Sequence, residues 1–121
     1  MRVFKTKVFD RFARSQRIRD QQLREAVERA RRGLVDADLG GGIIKQRVAR
    51  PGQGRSGGFR VLLAFDPNMR AIFIYGFAKN ERDNIDDKEL RTLREIAVAW
   101  LAASIPQIER EVANGRLQEV P

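Results

Sequence analysis

The sequence predicts an α+β fold, in which a small, mainly antiparallel β-sheet has helices packed on one face, in the order β-α-α-β-β-β-α. Three features predict it: an alternating N-terminal run before two helix-like stretches, three β-rich runs joined by short turns, and an amphipathic final third. Strands and helices are segregated along the chain, which is typical of α+β folds. Since 121 residues match the size of one domain (~100–200 residues), we expect residues 1–121 to form a single domain.

The N-terminal third predicts a strand followed by a pair of helices. Residues Arg2 to Val8 alternate in polarity and indicate a short strand. Asp10 is expected to cap a brief helix that carries Phe12, and Asp20 is expected to cap the next helix. Gly33 is a plausible end for this second helix. Its apolar residues recur at helical spacing: Leu23, Ala26, Val27 and Ala30.

The middle of the chain predicts three strands that follow a glycine triplet, Gly40 to Gly42. A Pro/Gly-rich turn, Pro51 to Gly58, separates the first two strands, and Asp66-Pro67-Asn68 turns the second into the third. Because the turns are short, we expect antiparallel pairing. The predicted strands are Ile43 to Ala49, Phe59 to Phe65 and Ala71 to Ala78.

The final third predicts helices with defined starts and ends. Asp86 and Glu89 form a capping-box pattern, in which each side chain accepts the other residue's backbone N–H. Ser104 is expected to start a second helical segment, and Asn114-Gly115 is expected to end it. One buried stripe is predicted along the first of these helices: Leu90, Leu93, Ala97, Trp100 and Leu101.

The composition restricts both the chemistry and the partner. The sequence has no Cys and no His, which excludes a disulfide framework, a thiol nucleophile and metal sites built on sulfur or imidazole. Any proton transfer must therefore use Lys, Arg, Asp, Glu or Tyr. The net charge of +8 favours a polyanionic partner, although a basic domain without such a partner has the same composition. No apolar run reaches the ~20 residues of a membrane span and no signal peptide is evident, so we expect a cytoplasmic protein with no membrane partner.

Basic residues are concentrated in the predicted sheet. Between Asp38 and Asp66 there is no acidic residue, but there are five basic ones: Lys45, Arg47, Arg50, Arg55 and Arg60. In the first of the three strands, alternation places Lys45 and Arg47 on the face opposite Ile44. Arg60 interrupts an apolar run, where a charge needs a reason; a structural one would be a snorkelling edge-strand arginine or an arginine paired to a carboxylate.

Three other segments have two interpretations each. The glycines between Pro51 and Gly58 form either a flexible hairpin loop or a phosphate cradle with Arg55 nearby, but not a Walker A loop. Tyr75, Phe77 and Lys79 share strand parity and form either a stacking surface that ends in a cation or part of the core, which we expect of Phe73. The acidic run could suggest a hard-metal site, but helix capping and pairing to Arg82 explain it better: Glu81, Asp83, Asp86 and Asp87.

Three segments together resemble the RelE/HigB toxins of type II toxin–antitoxin modules. They are Gly40 to Ala49, Gly57 to Arg60, and Tyr75 to Glu81, within a match that runs from about Gly40 to Leu101. The resemblance implies an endoribonuclease that cuts mRNA, often in the ribosomal A site, without a cofactor. It also implies a cognate antitoxin partner, which we expect to be of the helix-turn-helix type.

The resemblance also implies roles for individual residues. Attack by the RNA 2′-hydroxyl on the adjacent phosphorus is metal-independent in this family. Arg60 would brace the scissile phosphate and Lys79 would serve as the acid or a second phosphate clamp, while Lys45 and Arg47 would act as base and electrostatic support. Further RNA contacts are assigned to five residues: Arg50, Arg55, Tyr75, Asn80 and Arg82.

Two points stay open at the level of sequence. Some members of the family carry a catalytic tyrosine near the C-terminus, but the single tyrosine of this chain, Tyr75, lies in a predicted strand. The identities of the base and the acid are therefore not fixed. Two other functions fit the same pattern: a ParE-type toxin that binds DNA gyrase without catalysis, and a plain basic nucleic-acid-binding module.

Overall fold

The protein folds around a mixed β-sheet with four helices. The computed structural model describes residues 1–50, 54–82 and 84–121, and for residues 54–56 it describes the backbone alone. In these ranges the strands are β1 (Arg2–Thr6), β2 (Ala37–Gly40), β3 (Ile43–Arg50), β4 (Gly54–Asp66), β5 (Arg70–Ala78) and β6 (Leu117–Val120). The helices are α1 (Lys7–Ser15), α2 (Asp20–Arg31), α3 (Asp87–Ala102) and α4 (Ile105–Ala113). None of the helices in the described ranges is long and apolar enough to cross a membrane. The predicted α+β class is confirmed.

The sheet has the strand order β2-β3-β4-β5-β1-β6. All neighbouring pairs are antiparallel except β1 and β5, which are parallel, so the predicted mainly antiparallel sheet is confirmed. The two edge strands, β2 and β6, were not predicted. Each has four residues, too few to show an alternating pattern.

Helices cover both faces of the sheet, so the prediction of helices on one face is wrong. We call the side covered by α1 and α2 the first face, where Phe73 is buried with Phe9 and Leu23. The side covered by α3 and α4 is the second face, where Leu62 is buried with Leu93. The physical reason lies in β4, whose run Val61 to Ala64 is apolar at every position and therefore needs cover on both sides.

The first two helices begin one or more residues away from the predicted caps. Thr6 caps α1, because its hydroxyl accepts a backbone N–H from the first turn at 3.2 Å. The preceding strand therefore ends at Thr6 and does not reach Val8. Asp10 is buried within α1 and pairs with Lys5 at 3.1 Å. Asp20 is the first residue of α2 and not its cap.

The other predicted helix ends are confirmed. Asp86 Oδ1 accepts the Glu89 N–H at 2.7 Å, and the Glu89 carboxylate accepts the Asp86 N–H at 3.1 Å. Ser104 caps α4 through its hydroxyl. Gly33 and Gly115 follow α2 and α4 with φ of +84° and +78°, a left-handed conformation that glycine adopts without strain.

A bulge in β5 determines which side chains face α3. Leu62 pairs with Tyr75, but Leu63 pairs with Phe73, so Ile74 is an extra residue in β5. The bulge places both Ile74 and Tyr75 on the second face. Phe73 stays buried in the core of the first face, as predicted.

Candidate active site

A cleft opens on the second face beyond the region that α3 covers. Its volume is about 380 Å³, and its walls come from β3, β4, the end of β5 and the segment that leads into β2. We call it the cationic cleft and define it by its lining residues: Asp36, Ala37, Lys45, Arg47, Arg60 and Lys79. The fold thus brings together the four residues that the sequence suggested as catalytic, although they belong to two strands and a turn.

Sheet register places Arg60 at the centre of this cleft. Arg47 lies directly opposite Arg60, and Lys45 lies two pairs further along, opposite Leu62 and on the same face. Lys79 follows the last residue of β5, and its backbone N–H donates to the Gly58 carbonyl at 3.1 Å. Directly opposed residues have Cβ atoms ~4.5–5.5 Å apart and diagonal ones ~7–8 Å apart. One phosphate group can therefore meet several of these cations at once.

Arg60 is buried, with 6% of its surface exposed. Burial and the facing guanidinium of Arg47 lower the pKa of Arg60, and the carboxylate of Asp36 acts in the opposite direction. Because β4 has paired neighbours on both sides, the interpretation of Arg60 as an edge-strand arginine is wrong. Its guanidinium lines the cleft, where a phosphate would compensate for the cost of burying like charges together.

Asp36 is a cleft residue that sequence reasoning missed. Its Oδ2 accepts the Arg47 N–H at 2.7 Å and lies 3.6 Å from Nη1 of Arg29. Its own N–H donates to Oε1 of Gln46 at 2.8 Å. Asp36 lies between α2 and β2, where no periodic pattern marks it. The available signal was Gln46, an amide on the side of β3 that faces α2. A buried amide needs polar partners.

Tyr75 and Arg82 form a cluster with the start of α3. Arg82 donates through two nitrogens to Glu89, at 2.5 and 3.1 Å, and its Nη1 lies 3.3 Å from the Tyr75 hydroxyl. Hydrogen bonds from Arg82 and Asp86 lower the pKa of Glu89 to about 2. Arg82 also lies over the Phe77 ring, 5.6 Å from its centroid. Among the described residues Arg82 pairs with Glu89 and not with a member of the acidic run that the sequence suggested, so the predicted partner is wrong.

The remaining predicted RNA contacts are dispersed. Arg50 lies on the first face, where it stacks 4.9 Å from the centroid of the Phe59 ring and is 3.4 Å from Oε1 of Gln16. Asn80 is exposed in the turn after β5, next to the cleft residue Lys79. The side chain of Arg55 lies outside the described residues, as do residues 51–53 of the predicted glycine-rich turn. The rest of that turn, from Gly54 on, is part of β4, so the turn is shorter than predicted.

The residues of the acidic run before α3 have different structural roles. Asp86 caps the helix, and Asp87 is its first residue. Asp83 lies outside the described residues. Within the described part of the chain, no three acidic side chains are grouped in a way that could hold a metal ion.

The whole length of the chain is similar to one protein family. The family model for the RelE toxin of RelE/RelB toxin–antitoxin systems matches residues 1–120. No curated protein matches the sequence. The family match covers both the cationic cleft and the strands and helices that build it.

Proposed function

Because the chain belongs to the RelE toxin family, we propose that this toxin is an endoribonuclease that cleaves mRNA on translating ribosomes. Toxins of this family are generally mRNA-cleaving enzymes, and each is paired with an antitoxin. The observation that carries the proposal is the cationic cleft, which gathers Lys45, Arg47, Arg60 and Lys79 around one buried guanidinium.

The arrangement of Arg47 and Arg60 supports a phosphate ligand. Like charges directly opposite each other in a sheet are destabilising, and burial of Arg60 adds to this cost. Like charges that a fold brings together at a cost in stability are typical of functional sites. A phosphate that gains negative charge during the reaction would be stabilised by both guanidiniums.

The proposed reaction is an internal transfer at phosphorus. The RNA 2′-oxygen forms a bond to the adjacent phosphorus while the bond from phosphorus to the 5′-oxygen breaks, which leaves a 2′,3′-cyclic phosphate and a 5′-hydroxyl. Arg47 and Arg60 stabilise the charge on the non-bridging oxygens, with Lys45 beside them. Lys79 gives a proton to the leaving 5′-oxygen. No metal ion is needed for these steps, in line with the family chemistry.

The test is the cleavage of mRNA by the purified toxin, on translating ribosomes and in free solution, with the cut ends mapped. Lys79→Ala should lower the cleavage rate by ~10²-fold or more, as expected for a lost general acid or phosphate clamp. RNA binding should fall much less, because one phosphate contact changes the salt slope by about one. The matched control is Lys7→Ala, an exposed lysine on α1, which should cleave as the unmodified toxin does.

The same preparation distinguishes the alternative functions. Inhibition of gyrase supercoiling with no cut in any RNA would contradict the proposal and favour a ParE-type toxin. Tight RNA binding with intact RNA in both assays would favour a binding module. An equal loss of cleavage in Lys7→Ala and Lys79→Ala would contradict the assignment of Lys79 to the reacting phosphate.

A further inference from the structure

We propose that Asp36 is the general base that removes the proton from the RNA 2′-hydroxyl. This inference rests on the proposed endoribonuclease function and completes its chemistry. Of the residues that line the cationic cleft in the described part of the chain, Asp36 alone has an acidic side chain. The other polar side chains of the cleft, those of Lys45, Arg47, Arg60 and Lys79, are those of basic residues.

Buried polar groups hold Asp36 in place. Gln46 has no exposed surface, and its Nε2 donates to the carbonyls of Ala26 and Leu34 at 3.0 and 3.1 Å. Its Oε1 accepts the Asp36 N–H, so one buried amide ties α2 and the segment after it to the cleft. A network of buried hydrogen bonds of this kind fixes the backbone at Asp36.

The carboxylate itself is also oriented. Oδ2 is engaged by the Arg47 N–H at 2.7 Å and faces the buried guanidinium of Arg29. The same guanidinium donates to the Arg47 carbonyl at 2.5 Å, so Arg29 positions both residues at this wall of the cleft. The Asp36 side chain remains 26% exposed, and its electrostatic effect reaches Arg60. A preorganised carboxylate thus stands beside the proposed phosphate position.

Elementary acid–base chemistry favours this carboxylate over the basic side chains. A lysine ammonium or an arginine guanidinium must lose a proton before it can accept one, and arginine in proteins does not. A carboxylate has no proton to lose at pH 7 and accepts one directly. If Asp36 is the base, none of the neighbouring cations has to lose its proton, and all of them keep the positive charge that stabilises the transition state.

The step balances in atoms and charge. Asp36 takes the proton of the 2′-hydroxyl as the 2′-oxygen bonds to phosphorus, and Lys79 gives a proton to the 5′-oxygen as its bond to phosphorus breaks. The products are a 2′,3′-cyclic phosphate and a 5′-hydroxyl. Proton exchange with water afterwards restores the Asp36 carboxylate and the Lys79 ammonium.

The first test is Asp36→Asn, which removes the base but keeps an oxygen that can accept the Arg47 N–H. The cleavage rate should fall by ~10²–10⁴-fold, with RNA binding and the melting temperature close to those of the unmodified toxin. The control is Asp38→Asn, the same change at an exposed position of β2 that does not line the cleft. It should leave cleavage unchanged.

A substrate with sulfur in place of the 5′-bridging oxygen separates the base from the acid. A thiolate leaves without protonation, so the modified RNA should restore much of the rate lost in Lys79→Ala but none of the rate lost in Asp36→Asn. Rescue of Asp36→Asn by this substrate, or normal cleavage of ordinary RNA by Asp36→Asn, would overturn the assignment of Asp36. Failure of the unmodified toxin to cut any RNA would instead overturn the proposed function.

A purely structural role for Asp36 predicts a different result. In that case Asp36→Asn would lose cleavage in proportion to a loss of folded protein, seen as a lower melting temperature. A variant that melts normally and cleaves slowly supports the catalytic assignment, whereas one that melts early and cleaves normally per folded molecule contradicts it.

Discussion

At the scale of single residues, the sequence predicted the cations of the site better than the residues that orient them. Alternation along β3 placed Lys45 and Arg47 on one face, and the charge within an apolar run marked Arg60. Both signals are local, so a single sequence carries them. Asp36 depends on Gln46, which reaches it from another element, and no local pattern encodes that contact.

Arg60→Ala should abolish most of the cleavage activity while leaving the fold intact. Loss of one preorganised donor to a developing oxyanion lowers the rate by ~10²–10³-fold. The melting temperature should change little, because removal of a buried charge that faces Arg47 offsets the loss of the Arg60 hydrogen bond to the Phe59 carbonyl, at 3.4 Å. Cleavage rate and melting temperature should be measured on the same preparation, with Arg11→Ala, an exposed arginine of α1, as the control. A lower melting temperature with normal activity per folded molecule would give Arg60 a structural role.

At the scale of elements, hydrogen bonds of Arg82 connect Tyr75 in β5 to Glu89 in the first turn of α3. The capping box of α3 was predicted from Asp86 and Glu89, but the sequence did not show that Glu89 also holds Arg82 in a two-nitrogen pair. Arg82 lies three residues after Lys79, so the pair joins the segment that follows β5 to the first turn of α3. We therefore expect Arg82 to act on catalysis through the position of Lys79, and Tyr75 to support Arg82 through its hydroxyl.

The Arg82–Glu89 pair should make stability depend on pH in the acid range. Since hydrogen bonds from Arg82 and Asp86 lower the pKa of Glu89 from its ordinary 4.5 to about 2, the charged pair stabilises the fold fully above pH ~5. This contribution is lost as the pH falls from 4.5 through 2. Glu89→Gln keeps the capping acceptor and removes the charge.

Thermal melts over this pH range test the pair. The unmodified toxin should melt above Glu89→Gln at pH 7, and the gap should close towards pH 2. The control is Glu95→Gln, an exposed glutamate on the same helix, for which we expect a small gap at every pH. A gap for Glu89→Gln that stays constant down to pH 2 would show that the pair does not stabilise the fold.

The Gly58 position should tolerate no side chain, which explains the glycine in the segment that precedes Arg60. A Cβ there would lie 2.2 Å from the Val48 carbonyl oxygen, and strand pairing prevents that backbone from moving away. Gly58→Ala should reduce the free energy of unfolding by about 3 kcal/mol or more. Gly33→Ala is the comparison, because its Cβ meets nothing within 4 Å and its cost is the left-handed φ alone, ~1–2 kcal/mol. Equal losses measured by denaturant unfolding would contradict the close approach.

At the scale of the whole molecule, the sequence predicted the fold class, but it did not predict that helices cover both faces of the sheet. Segregated strands and helices indicated α+β, and β3 and β5 lie within one residue of their predicted ranges. In contrast, β4 begins at Gly54, five residues before the predicted start at Phe59, because the glycines there pair with β3 and do not form a turn. The two short edge strands and the second helical layer depend on long-range pairing, such as β6 against β1. The second layer matters for function, because the cationic cleft is the part of that face that α3 leaves open.

The most direct test of the central claim is cleavage of an RNA with one 2′-deoxy nucleotide immediately before the scissile phosphate, in excess EDTA. The account predicts that the all-ribose RNA is cut to a 2′,3′-cyclic phosphate and a 5′-hydroxyl in EDTA. It also predicts that the 2′-deoxy RNA binds equally well and is not cut at that bond. Cleavage of the 2′-deoxy RNA at that bond, or cleavage of the all-ribose RNA that EDTA abolishes, would contradict it.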